Sequence, residues 1–193
     1  MAYDRIAADY AVRNAAMPPA LIELGGRLLE RTGPGARVLD AGCGVGRDMA
    51  WLEAHGARVI GVDISAGMLA EARTRASGPL LRLDMRSLAF ADDSFDGVWC
   101  VASLLHLPKS DVPPTLAEFH RVLVPGGTIV LSLQHGAGEE WERDPYGKGT
   151  RRFFARYSLG EATTLLTGAG FMVIERGSDV ARARHWLSFL ATA

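Results

Sequence analysis

Three aspartates, Asp40, Asp63 and Asp84, each stand at the end of a short apolar run, and the first opens onto glycines at 42, 44 and 46. The stretch Val38-Leu39-Asp40-Ala41-Gly42-Cys43-Gly44-Val45-Gly46-Arg47-Asp48 reads as a strand that turns tightly into a helix. Glycines leave no Cβ in the way, so a small molecule can lie directly on the main chain. A helix beginning near Gly46 would aim its unpaired N–H groups at the same place. Asp40 is the discriminating member. A carboxylate at the mouth of a phosphate cradle repels phosphate, so this cradle suits a ligand with positive charge. Asp63 lies 21 residues past Gly42, near the spacing at which a carboxylate accepts both ribose hydroxyls. That position is compatible with any adenosine-containing cofactor, NAD included.

A nicotinamide cofactor asks for G-x-G-x-x-G. Counted from Gly42 the last position is Arg47, and counted from Gly44 it is Met49, so both frames fail. S-adenosylmethionine meets each objection, having ribose and adenine, no phosphate, and both an ammonium and a sulfonium. Asp40 is expected to hold the ammonium, directly or through water, while helix N–H groups face the methionine carboxylate. Asp84 can accept the adenine amino hydrogen, with Met85 packed on the ring.

The elements that position these residues follow from periodicity. Helical spacing predicts helices over 18–31, 46–55, 65–76, 113–123 and 158–167, with Ser65 and Ser158 as N-caps. Strands are expected at 36–40, 58–63, 80–83, 95–100, 128–133, 171–176 and 186–191, punctuated by glycine and proline turns. Residues 1–17 show no sustained period, and 134–157 read as one long loop. The short link at 177–185 carries no helix pattern, so the last two strands should pair antiparallel. Strand–helix alternation implies an α/β fold, a Rossmann-like three-layer sandwich. Its sheet would be seven-stranded and mostly parallel, with an antiparallel last strand.

In order, the segments Val38–Gly46, Val59-Ile60-Gly61-Val62-Asp63-Ile64-Ser65, Leu83-Asp84-Met85, Phe95-Asp96-Gly97-Val98-Trp99, Leu123-Val124-Pro125-Gly126-Gly127 and Ala169-Gly170-Phe171 resemble a class I S-adenosylmethionine-dependent methyltransferase. The likeness is to the small bacterial type found in ubiquinone and menaquinone biosynthesis. Tyr3-Asp4, Ala7 and Tyr10 resemble that family's N-terminal segment, which folds over the cofactor. The resemblance implies one methyltransferase domain over 1–193, with 1–35 covering the cofactor and 134–157 acting as a lid. It also implies cofactor contacts at Tyr10, Asp40, Gly42, Cys43, Gly44, Gly46, Asp63, Ile64, Met68, Asp84, Met85 and Val101, with Arg86 and Ser103 nearby. The product would be S-adenosylhomocysteine.

Methyl transfer needs alignment and exclusion of water, and no side chain is obligatory. A hydroxyl acceptor would gain from a base, and His106 and His135, each after a strand, are the tentative catalytic candidates, with Tyr10 a third. His55, His120 and His185 read as packed or solvated positions. The net charge of −1 over 193 residues, 48% of them apolar, gives no basic surface for nucleic acid. Val101-Ala102-Ser103 after strand four also departs from the Asn/Asp-Pro-Pro-Tyr motif of many nucleic-acid and protein N-methylating enzymes. A small-molecule acceptor is therefore expected. The cations Arg143, Lys148, Arg151, Arg152 and Arg156, interleaved with Phe153, Phe154 and Tyr157, suggest a lid that meets an acidic or aromatic substrate. No apolar run is long enough to span a bilayer, which with no signal-like start gives a cytoplasmic expectation. Cys43 and Cys100 lack metal-ligand spacing, so no metal is expected. The competing readings are a cofactor-binding protein without turnover and, disfavoured by Arg47 and Asp40, a NAD-dependent oxidoreductase. The oligomeric state is not legible.

Overall fold

The strand-forming runs pair into one sheet in the computed structural model, which describes residues 1–181 and 184–193. Strands β1 (Arg37–Ala41), β2 (Arg58–Asp63), β3 (Leu80–Arg82), β4 (Phe95–Val101) and β5 (Leu123–His135) run parallel in the order β3-β2-β1-β4-β5. Beyond β5 lie the late strands β8 (Met172–Ala181) and β9 (Arg184–Thr192). β9 pairs antiparallel with both β5 and β8. These seven strands reproduce the expected sheet and its reversed last strand.

Helices cover both faces because alternate strand residues point to opposite sides. Val38, Trp99, Val130 and Leu190 pack with α2 (Pro19–Thr32) and α3 (Arg47–Ala54). Leu39, Val98, Ile129 and Leu131 pack with α5 (Val112–Val122) and α6 (Leu159–Gly168) on the other face. The short α4 (Ala66–Ala72) is capped by Ser65, whose hydroxyl accepts from the Met68 N–H.

Three expectations are corrected. Residues 2–13 form helix α1 (Ala2–Arg13). Its period was hidden because it is carried by alanine and tyrosine: Ile6, Ala7 and Ala11 are buried, with Tyr3 and Tyr10 packed beside them. Asp4 docks this helix on the start of α4, accepting from the Ser65 hydroxyl at 2.7 Å and the Gly67 N–H at 3.0 Å. Secondly, much of 134–157 is a β-hairpin, β6 (Glu139–Arg143) and β7 (Arg151–Tyr157), paired antiparallel from Glu139↔Ala155 to Arg143↔Arg151. The Asp144 carboxylate closes its turn by accepting the N–H groups of Tyr146, Lys148 and Thr150. β7 adds to the last residues of β5, making nine strands among the described residues. Thirdly, strands β8 and β9 run through most of the expected link at 177–185, where Gly177, Ser178 and Asp179 mask the strand pattern. The part of that link at Arg182 and Ala183 lies outside the described residues.

Candidate active site

The carboxyl ends of the parallel strands open into a cavity of about 430 Å³, within the range of roughly 300–1,000 Å³ usual for small-molecule sites. It lies where the strand order reverses between β1 and β4, the place such sheets bind ligands. Tyr10, Gly42, Cys43, Gly44, Asp63, Ile64, Met68, Asp84, Met85, Val101 and His106 all line it.

The glycine turn is held from behind. The N–H groups of Gly42 and Cys43 both donate to the Val62 carbonyl, at 2.8 and 3.0 Å, and the Gly44 N–H donates to Asp63 Oδ2 at 2.9 Å. The turn therefore offers the cavity its bare Cα surface, and its first N–H groups are already spent on β2. Gly42, at φ +81°, leaves no room for a side chain, since a Cβ would stand 2.3 Å from Ser103 Cβ. At Gly44 a Cβ would meet nothing within 4 Å, so open space lies directly over the backbone. Gly46 serves packing, because its Cβ would press at 3.0 Å on Ala72 Cα, and it does not reach the cavity.

Asp40 does not line the cavity either. It is 2% exposed and points to the α3 side of the sheet, where its carboxylate accepts the Met49 N–H. Gly46 has no capping side chain, so Asp40 supplies that acceptor from the strand beneath. Its Oδ2 is buried without a partner, and burial, followed by the nearby Asp48 and Asp63, pushes its pKa well above the usual carboxylate range. The charged wall at this end is Asp48, which also accepts from Trp99 Nε1 at 3.2 Å and pairs with Arg47. Sequence reading placed Asp48 on the helix without giving it a role; its signal was its place in the first turn of α3, directly after the glycine turn.

Asp63 is half-buried and accepts from the Gly44 and Ser65 N–H groups at 2.9 and 2.8 Å. Burial raises its pKa against the pull of those donors. Asp84 is gripped by Arg86, whose Nε and Nη2 donate to its carboxylate at 3.1 and 2.6 Å, and that guanidinium holds its pKa low. Arg86 reaches on to Asp111 at 2.8 Å, which anchors the loop after β3. Ser103 donates to the Ala41 carbonyl at 2.6 Å and so braces the glycine turn from β4.

The opposite wall is aromatic and basic: Tyr3, Tyr10, Trp141, Arg151, Arg152 and Phe153, with His106 between. His106 Nδ1 lies 2.7 Å from the Phe153 carbonyl, which can only accept, so that nitrogen carries the hydrogen. Nε2 is then the acceptor for the Tyr3 hydroxyl at 2.6 Å. Burial pushes the His106 pKa down to about 4, which keeps the ring neutral. His135 does not reach the cavity. It is exposed at the end of β5, where β7 joins the edge, and its ring faces His185 at 6.1 Å. Tyr3 and Arg152 are the residues here to which sequence reading gave no individual role, because both depend on α1 and the hairpin closing over the strand ends.

The residues fit the expected methyl donor. Open space over Gly44, the cavity-lining carboxylate of Asp63, and an Asp48 paired with Arg47 at the turn leave room for a phosphate-free ligand that carries positive charge. A family model described as a methyltransferase domain matches residues 39–131. The malonyl-[acyl-carrier protein] O-methyltransferase of Enterobacter lignolyticus is 30% identical over 173 residues, covering 86% of this chain and 67% of that protein. The demethylmenaquinone methyltransferase of Symbiobacterium thermophilum is 37% identical over 145 residues, 66% of this chain and 55% of that one. The chain spans about half to two thirds of the length of the first curated relatives it matches. Among solved structures, the 1,6-didemethyltoxoflavin-N1-methyltransferase of Burkholderia thailandensis, with its substrate and S-adenosylhomocysteine bound, superposes with a TM-score of 0.75 at 22% identity. That match covers 97% of this chain and 87% of that one, and shows the shared fold. Sequence, sheet order and cavity agree: the chain belongs to the class I S-adenosylmethionine-dependent methyltransferases.

Proposed function

We propose that this protein transfers a methyl group from S-adenosylmethionine to a small-molecule acceptor by in-line displacement. The observation that carries the reading is the unfilled backbone over Gly44, flanked by the Asp48 and Asp63 carboxylates with the unpartnered Asp40 oxygen buried behind. When bound, the cofactor supplies an electrophilic methyl on a sulfonium and leaves as S-adenosylhomocysteine. The chain's own part is to bind, orient and keep the site dry. Asp63 holds the ribose and Asp84 with Met85 the adenine, while Met68 and Val101 wall off water. Asp40 acts from behind, fixing the start of α3. Tyr10 and α1 cover the cofactor within a single domain, with the hairpin over the acceptor.

His106 is the group able to take a proton, at Nε2 through the Tyr3 hydroxyl. A ring titrating near 4 is a weak base at neutral pH. The site thus favours an acceptor that is already anionic or has a free lone pair. Two buried free thiols, Cys43 and Cys100, the latter's pKa pushed up by burial to about 12, suit a reducing cytoplasm. Among the described residues no helix is long and apolar enough to cross a membrane. Isothermal titration with S-adenosylhomocysteine and with NADH tests the donor. A screen of small acceptors, read by S-adenosylhomocysteine release, tests turnover. Tight NADH binding without response to S-adenosylhomocysteine would sink the proposal.

A further inference from the structure

The hairpin and its surroundings carry several cations, and most are neutralised. Arg156 pairs with Glu140 at 3.0 Å and with Glu142, Arg184 pairs with Glu142 at 2.6 Å, and Lys148 pairs with Asp9 at 3.0 Å. Arg152 differs. It lines the cavity, and among the described residues it makes no ion pair. Its register partner on β6 is Glu142, whose carboxylate is already taken by Arg156 and Arg184. The Arg152 Nε is buried without a hydrogen-bond partner, and Nη1 has only the Tyr3 hydroxyl at 3.4 Å. Its Cζ lies 4.9 Å from the Phe154 ring centre, 5.9 Å from Tyr3 and 6.0 Å from Tyr146.

Three rings therefore crowd the guanidinium and desolvate its Nε, and among the described residues no counter-charge is paired with it. Ring faces compensate part of that desolvation. A planar carboxylate compensates far more, because it accepts two parallel N–H bonds from the fork. From this geometry we infer that Arg152 is the specificity-determining contact for the methyl acceptor, which enters as a carboxylate carried on a flat apolar or aromatic body. The cavity walls match that body, with Tyr3 beside the guanidinium and Phe153 packed edge-on against Trp141, which is 55% exposed. The two ends differ in balance: at the turn, Arg47 and Arg86 line the cavity already paired with Asp48 and Asp84, and Asp63 lies beside them, whereas Arg152 keeps an uncompensated positive charge among the described residues.

This inference rests on the methyltransferase reading for what the acceptor does, but its test is independent of turnover. Benzoate and benzamide share size and shape and differ in charge. Each is titrated into protein saturated with S-adenosylhomocysteine and followed by amide chemical shifts. Wild type should bind benzoate roughly tenfold tighter than benzamide. Arg152→Met should bring the two together, with Arg152→Lys intermediate, and the S-adenosylhomocysteine Kd should stay within about twofold. Equal affinities in wild type, or an unchanged preference in Arg152→Met, would overturn the inference. A lower melting temperature in Arg152→Met with the benzoate preference intact would show that the side chain only ties α1 to the hairpin. If S-adenosylhomocysteine fails to bind, the wider reading fails, and the benzoate–benzamide comparison on the protein alone still decides the role of Arg152.

Discussion

Replacing Asp63 separates ligand binding from turn architecture. Its carboxylate has roughly four acceptor positions. The Gly44 N–H takes one at 2.9 Å and the Ser65 N–H another at 2.8 Å, which leaves lone pairs for a ribose diol on the cavity side. A hydrogen bond to a charged group contributes about 1.5–3 kcal/mol, so losing even one raises a dissociation constant roughly 10- to 150-fold. Asp63→Ala should therefore weaken S-adenosylhomocysteine by at least about tenfold. It should also lower the melting temperature, since it strands two N–H donors. Asp63→Asn keeps an oxygen for the turn but loses the charge, so it should melt closer to wild type while still binding about tenfold more weakly. The assay is isothermal titration with S-adenosylhomocysteine, run beside melting without ligand. Burial raises the Asp63 pKa, so binding should also weaken as pH falls through it. If Asp63→Ala melted early yet bound S-adenosylhomocysteine within about twofold of wild type, the ribose role would be wrong and Asp63 would only tie the turn to β2.

Two glycine variants and one carboxylate variant extend the test. Gly42→Ala puts a Cβ 2.3 Å from Ser103 Cβ at φ +81°; left-handed strain and overlap together should cost about 2–5 kcal/mol, or ~5–15 °C in melting temperature. Gly44→Ala, at φ +53° with no atom within 4 Å, should lose only about 2–4 °C while S-adenosylhomocysteine binding falls about tenfold or more; full affinity there would show that the ligand does not lie on the turn. Asp40 has a folded pKa above its unfolded value of about 3.9, so its contribution to stability is complete below about pH 3.9 and is lost as pH rises through the folded pKa. Asp40→Asn should flatten that decline in melting curves taken up to pH 8, and curves parallel to wild type would show that Asp40 does not take up a proton on folding.

The sheet was legible because its strands are apolar runs set between turn residues, and the first three are closed by Asp40, Asp63 and Asp84. Asp63, Asp84, Gly42 and Gly44 were found that way, and all line the cavity. Asp40 was misplaced by one layer. Linear order puts it at the strand end, but the period of two turns it under α3, and Asp48 takes the wall in its stead. His106 and His135 looked alike, each following a strand. What separates them is β7, a strand hidden inside an apparent loop, which takes up the edge beside His135 while the carbonyl of its own Phe153 receives the His106 hydrogen bond. The period of α1 went unread because alanine and tyrosine carry it. Tyr3 and Arg152 were named only within their segments, the N-terminal stretch and the basic-aromatic cluster, since what sets each apart comes from contacts across more than 100 residues of chain.

The two ends of the cavity have different parents. The donor end is made by loops rooted in the five parallel strands, with glycines whose substitution strains the turn or presses on buried neighbours. The opposite end is made by the cavity-facing side chains of α1 and the hairpin, while other side chains of the same two elements, Ile6 and Ala11, Phe154, Ala155 and Tyr157, are buried in the packed layers. Changes confined to the cavity-facing set leave those layers intact. Descendants of such a chain can therefore exchange acceptors by rewriting a few side chains on two elements, while the methyl donor is inherited with the fold.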